Sequence, residues 1–194
     1  MFEIPSCLVV GEKQLNIRNK GDYRMVLDCF IALNDVKLSK EERVYSALII
    51  FYEEFDSIED LMHFPYLNEA VKQMYWFFNC GDDKGVGANR HRKLIDWQGD
   101  SQLIASAVNK VANTEIRLAP YIHWWTFMGY YLAIGESPLA TIVGIRSKVM
   151  EGKKLEKHEQ KFKNDNPQYF IWDNKSIEDK EAEEAVMSLW NSGS

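Results

Sequence analysis

The sequence predicts a mainly α protein: a helical domain of about six to seven helices with a small N-terminal β-hairpin. Three observations predict it. Apolar residues recur three and four apart through most of the chain, the period of a helix with one buried face. Ser-led capping boxes stand at Ser39–Glu42, Ser57–Asp60 and Ser176–Asp179, where a hydroxyl and a carboxylate satisfy the free N–H groups of a starting helix. Near the N-terminus Gly11-Glu12 separates two short segments, and glycine supplies the positive φ of a tight turn.

In chain order, Cys7–Val10 and Gln14–Arg18 form the two arms of the hairpin. Asp22 caps a first helix with Tyr23, Val26, Leu27, Phe30 and Ile31 on one face. Ser39 opens a second, with Val44, Tyr45, Leu48, Tyr52 and Phe55 in register. Ser57 starts a short helical turn that Pro65 ends. A third full helix runs from about Leu67 to Phe78 and stops at Cys80-Gly81. Asp96 is a plausible cap for a helix over Trp97–Ala112, with Asp100 near its first turn and Asn113 closing it. Pro120 suits a first helical position for the aromatic helix Tyr121–Leu132, which Gly135 stops. Ser137-Pro138 restarts the chain, with Leu139, Ile142, Val143 and Val149 as the apolar side and Arg146 and Lys148 at its edge. After Gly152, a polar helix over Leu155–Lys163 ends at Asn166-Pro167.

Residues 1–167 therefore read as one mostly helical domain. Its glycine-rich polar stretch, residues 81–93, is expected to be a mobile loop. Residues 168–194 read as an acidic C-terminal tail with a short helix carrying Ile177, Val186, Leu189 and Trp190.

At 194 residues with 46% apolar side chains, the chain can build a core. Its net charge of −6 argues against a general nucleic-acid binder. The charge is uneven: Arg146–Lys163 holds seven basic and three acidic residues, and Asp173–Glu184 six acidic and two basic. The basic run reads either as a solvated helix or as a surface for an acidic partner, this chain's own tail included. The longest apolar run is too short to cross a bilayer, and the N-terminus lacks the basic start of a signal peptide. A reducing, cytosolic setting is expected.

No motif for bond-making chemistry stands out, so no enzyme, cofactor or metal is expected. Cys7, Cys29 and Cys80 are far apart with no CxxC pair. The histidines at 63, 91, 123 and 158 lack ligand spacing. Gly85-Val-Gly87 follows a predicted helix rather than a strand, and no Gly-Lys-Ser/Thr follows it, so the phosphate-loop context is missing. The most unusual local sequence is His123-Trp124-Trp125. It reads either as an anchoring surface, since exposed tryptophans dominate binding hot spots, or as core. Large apolar side chains are mostly interior, which favours the core.

Several of these segments occur together, in order: Ile95-Asp-Trp-Gln-Gly-Asp100 with Leu103–Ala107, Tyr121-Ile-His-Trp-Trp-Thr-Phe127, Ile142–Lys148, Lys153-Lys-Leu-Glu156, Glu159, Phe162 and Asn166-Pro167. Over roughly residues 4–167 the chain resembles the gene product fifteen family of small tail proteins from phages and prophages of Gram-positive bacteria. The resemblance implies a tail assembly chaperone of the host cytoplasm, absent from the mature virion. Its partner would be the tape measure protein of a long non-contractile tail, with tail-tube subunits displacing it. A homo-oligomer is compatible with this. The partner surface expected on this reading joins Trp124, Trp125, Phe127 and Tyr130 to Arg146, Lys148 and Lys153. Changing Arg146 and Lys153 to Glu is then expected to weaken partner binding without unfolding. The rival readings are a structural tail or head–tail joining component and, less favoured, a nucleic-acid binder.

Overall fold

A computed structural model describes residues 3–82 and 94–170. Among these, the chain is mainly helical, with eight α-helices and a two-stranded antiparallel sheet. Most of the loop expected at residues 81–93, and the tail helix expected after residue 170, lie outside the described residues.

The hairpin pairs β1 (Cys7–Val10) with β2 (Lys13–Asn16), Leu8 opposite Leu15. Gly11, at φ +59, takes the first central position of the two-residue turn, where a type II′ turn needs glycine. Leu8, Val10 and Leu15 face inward. Next, α1 (Tyr23–Leu33) starts at Asp22, whose carboxylate accepts the Arg24 N–H. The buried stripe of α1 includes Met25 and Cys29, while Ile31, expected inside, is 47% exposed. The capping boxes at Ser39 and Ser57 open α2 (Lys40–Phe51) and α3 (Ile58–Met62). Tyr52, expected to continue α2, is extended instead; its hydroxyl donates to the buried Ala70 carbonyl at 2.9 Å. That contact pins it to α4 (Leu67–Phe78).

Two expected helix starts are corrected. The helix α5 spans Ser101–Ala112, not Trp97–Ala112. Asp96 uses its carboxylate on the Gln98 and Gly99 N–H groups, closing a turn that leaves Trp97 free to enter the aromatic core. The aromatic helix α6 spans Trp124–Leu132, with His123 rather than Pro120 at its start. Residues 120–122 are drawn out by long-range bonds. Asp22 accepts the Ile122 N–H at 3.0 Å, the Tyr23 N–H donates to the Ile122 carbonyl at 2.9 Å, and the Tyr121 hydroxyl donates to the Lys20 carbonyl at 2.9 Å. Arg24 adds a fork onto the Ile116 and Ala119 carbonyls, fastening the same segment to α1.

Ser137 and Pro138 start α7 (Pro138–Met150) as expected, with Ser137 accepting the Ala140 N–H. Its buried side holds Leu139, Ile142 and Ile145; Val149, expected inside, is 45% exposed. Last come α8 (Lys157–Asp165) and a single 3-10 turn at Pro167–Tyr169.

The core is aromatic. Phe30 of α1 meets Phe78 of α4 and Trp124 edge-on at 5.0 and 5.6 Å and stacks against Trp97 at 5.9 Å, Trp97 meets Trp124 edge-on at 5.9 Å, and Tyr23 stacks on Phe127 at 4.6 Å. Such pairs add about 0.5–1.5 kcal/mol each beyond their buried area.

Candidate functional site

The His123-Trp124-Trp125 sequence works as a clasp inside the protein. A helix leaves its last carbonyls without intrahelical donors. Trp124 donates its indole N–H to the Phe78 carbonyl at 3.0 Å, and Trp125 donates its own to the Phe77 carbonyl at 2.9 Å. Two adjacent indoles thus reach the C-terminus of α4. His123 faces the other way. Its Nε2–H donates to the Pro5 carbonyl at 3.1 Å, and its Nδ1 accepts the Trp125 N–H at 3.1 Å, capping α6. The ring lies 2% exposed, beside Phe77. Gly21 permits this packing: at φ +78, a Cβ there would sit 2.6 Å from the Phe77 ring and 3.1 Å from His123 Nε2.

These roles require a neutral imidazole, and burial pushes the His123 pKa below its ordinary value, outweighing the opposing bond to Pro5. The unfolded chain therefore binds a proton first as pH falls. The stability tied to His123 is complete above about pH 6.5 and is lost as pH falls from there through the lower folded pKa. The His123→Asn variant keeps a capping acceptor without the titration. Urea midpoints from pH 7 to pH 5 should fall less steeply for it than for wild type; parallel slopes would remove His123 as the cause.

A second cluster joins the C-terminal half. Asp100, at the start of α5, and Arg146, on α7, form a buried ion pair with side chains 1% and 6% exposed. Both carboxylate oxygens meet the guanidinium, Oδ1 at 3.0 Å from Nη2 and Oδ2 against Nη1. Asp100 Oδ2 also accepts the Asp96 N–H. Arg146 donates further to the Leu94 carbonyl at 2.9 Å and the Tyr169 carbonyl at 2.9 Å. One side chain thus ties α5, α7, the turn before α5 and the final 3-10 turn. Nothing local in the sequence pairs these residues. A signal was available: Arg146 follows Leu139 by seven and Ile142 by four, so it lies on the apolar face of α7.

The expected partner surface needs correction at three positions. Trp124 is 0% exposed, Phe127 1% and Arg146 7%, so their side chains serve the interior. Trp125 and Tyr130 are half-buried. Lys148 and Lys153 reach the surface with side chains 36% and 66% exposed, each against a carboxylate at 2.6 Å: Glu159 for Lys148, Glu151 for Lys153. The Glu159 bond raises the Lys148 pKa and lowers that of Glu159, keeping both charged. Among the described residues no cation–π contact joins the aromatic helix to these lysines.

Small residues stand on the exposed sides of both α6 and α7. Thr126 and Gly129 lie on the outward side of α6, with Leu132 75% exposed at its end and the exposed Ala133 just after it. Ala140, Thr141 and Gly144 line the outward side of α7, ahead of Lys148. Among the described residues, a Cβ at Gly129 or Gly144 would meet nothing within 4 Å, so none of them requires either glycine for packing.

Among the described residues, no group of three His, Cys, Asp or Glu could hold a metal ion, and no helix is long and apolar enough to cross a membrane. The Cys29 thiol is buried, contacting Met25 and the Ala47 carbonyl, and burial raises its pKa far above the ordinary value. A family model described as Bacteriophage Gp15 protein matches residues 8–169. No curated protein and no solved structure matches the chain.

Proposed function

The chain belongs to the bacteriophage Gp15 protein family, and on that premise we propose that it is a tail assembly chaperone that binds and shields the tape measure protein in the host cytoplasm. A tape measure is a very long helical chain with exposed apolar stripes, and such a chain aggregates unless it is covered. A small helical protein can cover it by helix-to-helix contact, and tail-tube subunits then displace it.

The observation that supports this reading is the pair of unneeded glycines on exposed helix faces. A glycine within a helix costs about 0.5–1 kcal/mol relative to alanine. Gly129 and Gly144 bear that cost where no neighbour among the described residues calls for a missing side chain. A partner helix laid against the outward sides of α6 and α7 would call for it, because a missing Cβ lets two backbones approach closely.

The proposal makes opposite demands on stability and binding. Gly144→Ala should stabilise the isolated protein by about 0.5–1 kcal/mol. Gly144→Leu should keep the fold and lose capture of the tape measure protein. Urea unfolding and affinity capture measure the two. Full capture by the leucine variant would remove this face from the proposal.

A further inference from the structure

We propose that the outer edge of β2 is a docking groove for an extended, basic peptide segment, which joins the sheet as a third strand. The proposal stands on the hairpin's geometry, apart from the tape measure reading.

The open edge follows from the ladder. The Ile17 N–H donates to the Ser6 carbonyl at 2.9 Å, making Ser6 and Ile17 a hydrogen-bonded pair. In an antiparallel ladder such pairs alternate, so Leu8–Leu15 and Val10–Lys13 are bonded, and Gln14 and Asn16 turn their peptide groups outward. At Asn16 the outward groups are occupied. The Glu53 N–H donates to its carbonyl at 3.0 Å, and its N–H donates to Glu54 Oε1 at 2.8 Å. The extended chain after α2 thus begins a third-strand position and turns away. One step along, no described residue takes the outward N–H or carbonyl of Gln14. An unpaired strand edge is a template for another chain.

That edge opens into a groove of about 710 Å³, lined by Lys13–Leu15 of β2, by Glu54 and Phe55 after α2, and by Glu59, His63 and Phe64 in and after α3. This volume falls in the range of about 300–1,000 Å³ common for ligand sites. Phe55 and Phe64 meet edge-on at 5.1 Å and provide an apolar wall. Glu54, Glu59 and Asp60 bring three carboxylates against one ammonium, Lys13, which already sits 5.2 Å over the Phe64 ring. The charge balance selects a basic occupant. The strand period then sends alternate side chains to the carboxylates and the phenyl wall.

The test is an amide-shift titration of the full chain with the capped pentapeptide Val-Lys-Val-Lys-Val. The expected result is a saturable shift centred on Lys13–Leu15. Binding should weaken at least about tenfold for Val-Glu-Val-Glu-Val and for the Glu59→Lys variant, as expected of a charge-matched contact. It should vanish for a peptide N-methylated along its backbone, which cannot pair with Gln14. Absence of a saturable shift, shifts centred elsewhere, or equal binding of the acidic or the N-methylated peptide would overturn the proposal. Should Glu59→Lys fail to fold, the peptide comparisons on the wild-type chain still decide it.

Discussion

Arg146→Met should lower folding stability by about 3–5 kcal/mol, the usual cost of removing one partner from a buried ion pair. The loss comes from what is left behind. Asp100, 1% exposed, keeps one hydrogen bond from the Asp96 N–H and loses its counter-charge. The Leu94 and Tyr169 carbonyls lose their guanidinium donors. Arg146→Lys should fare only slightly better, because a single ammonium cannot reproduce a fork that serves a carboxylate and two carbonyls. The double replacement Asp100→Leu/Arg146→Met should recover much of the loss, since an apolar pair can replace a buried ion pair at little or no cost. Lys153→Glu, on the surface, should stay within about 0.5 kcal/mol of wild type. The Arg146→Glu/Lys153→Glu variant therefore unfolds readily, and its loss of binding would report on the fold. Urea midpoints measure each. An Arg146→Met protein within 1 kcal/mol of wild type would show that the pair does not hold α5 and α7 together.

Trp124→Ala should cost about 3–5 kcal/mol, the range for deleting a fully buried aromatic ring. Trp124 is 0% exposed, contacts Phe30, Trp97 and Phe127, and bonds the Phe78 carbonyl. Removing it empties the junction of α1, α4 and α6. Trp124→Phe keeps most of the ring volume and loses the indole hydrogen bond, so it should cost about 1–2 kcal/mol. Thermal melts followed by near-ultraviolet circular dichroism separate the two. If Trp124 were a partner anchor, Trp124→Ala would melt like wild type and lose only binding.

Much of the fold was legible because its signals are local. A capping box is written in four residues, and the boxes at Ser39 and Ser57 open helices where expected. Ser137-Pro138 does the same for α7, and Asn113, at φ +52, closes α5 in the left-handed region. The misplaced starts near Trp97 and Pro120 have one cause. In both places hydrogen bonds outside the helical pattern hold a helix-compatible sequence in another shape: Asp22 and Tyr23 on Ile122, and, before α5, the Asp96 turn that sends Trp97 into the aromatic cluster. The candidate surface was less legible. A basic run near the C-terminus suggests exposure, yet Arg146 finds Asp100 forty-six residues earlier, and only its place on the apolar stripe hints at that. The core reading favoured for His123-Trp124-Trp125 holds for the buried His123 and Trp124, but its partners, Pro5 and the end of α4, are far away in sequence and leave no local signal.

The proposed role is to keep a tape measure protein soluble before assembly. Co-expression with a phage tape measure protein, followed by affinity capture, tests that proposal most directly. The account predicts a tape measure that is soluble only with this chain present and is captured with it, several copies of this chain per tape measure. A tape measure that stays insoluble, with nothing captured, would contradict it; so would this chain in stoichiometric amount in purified phage particles.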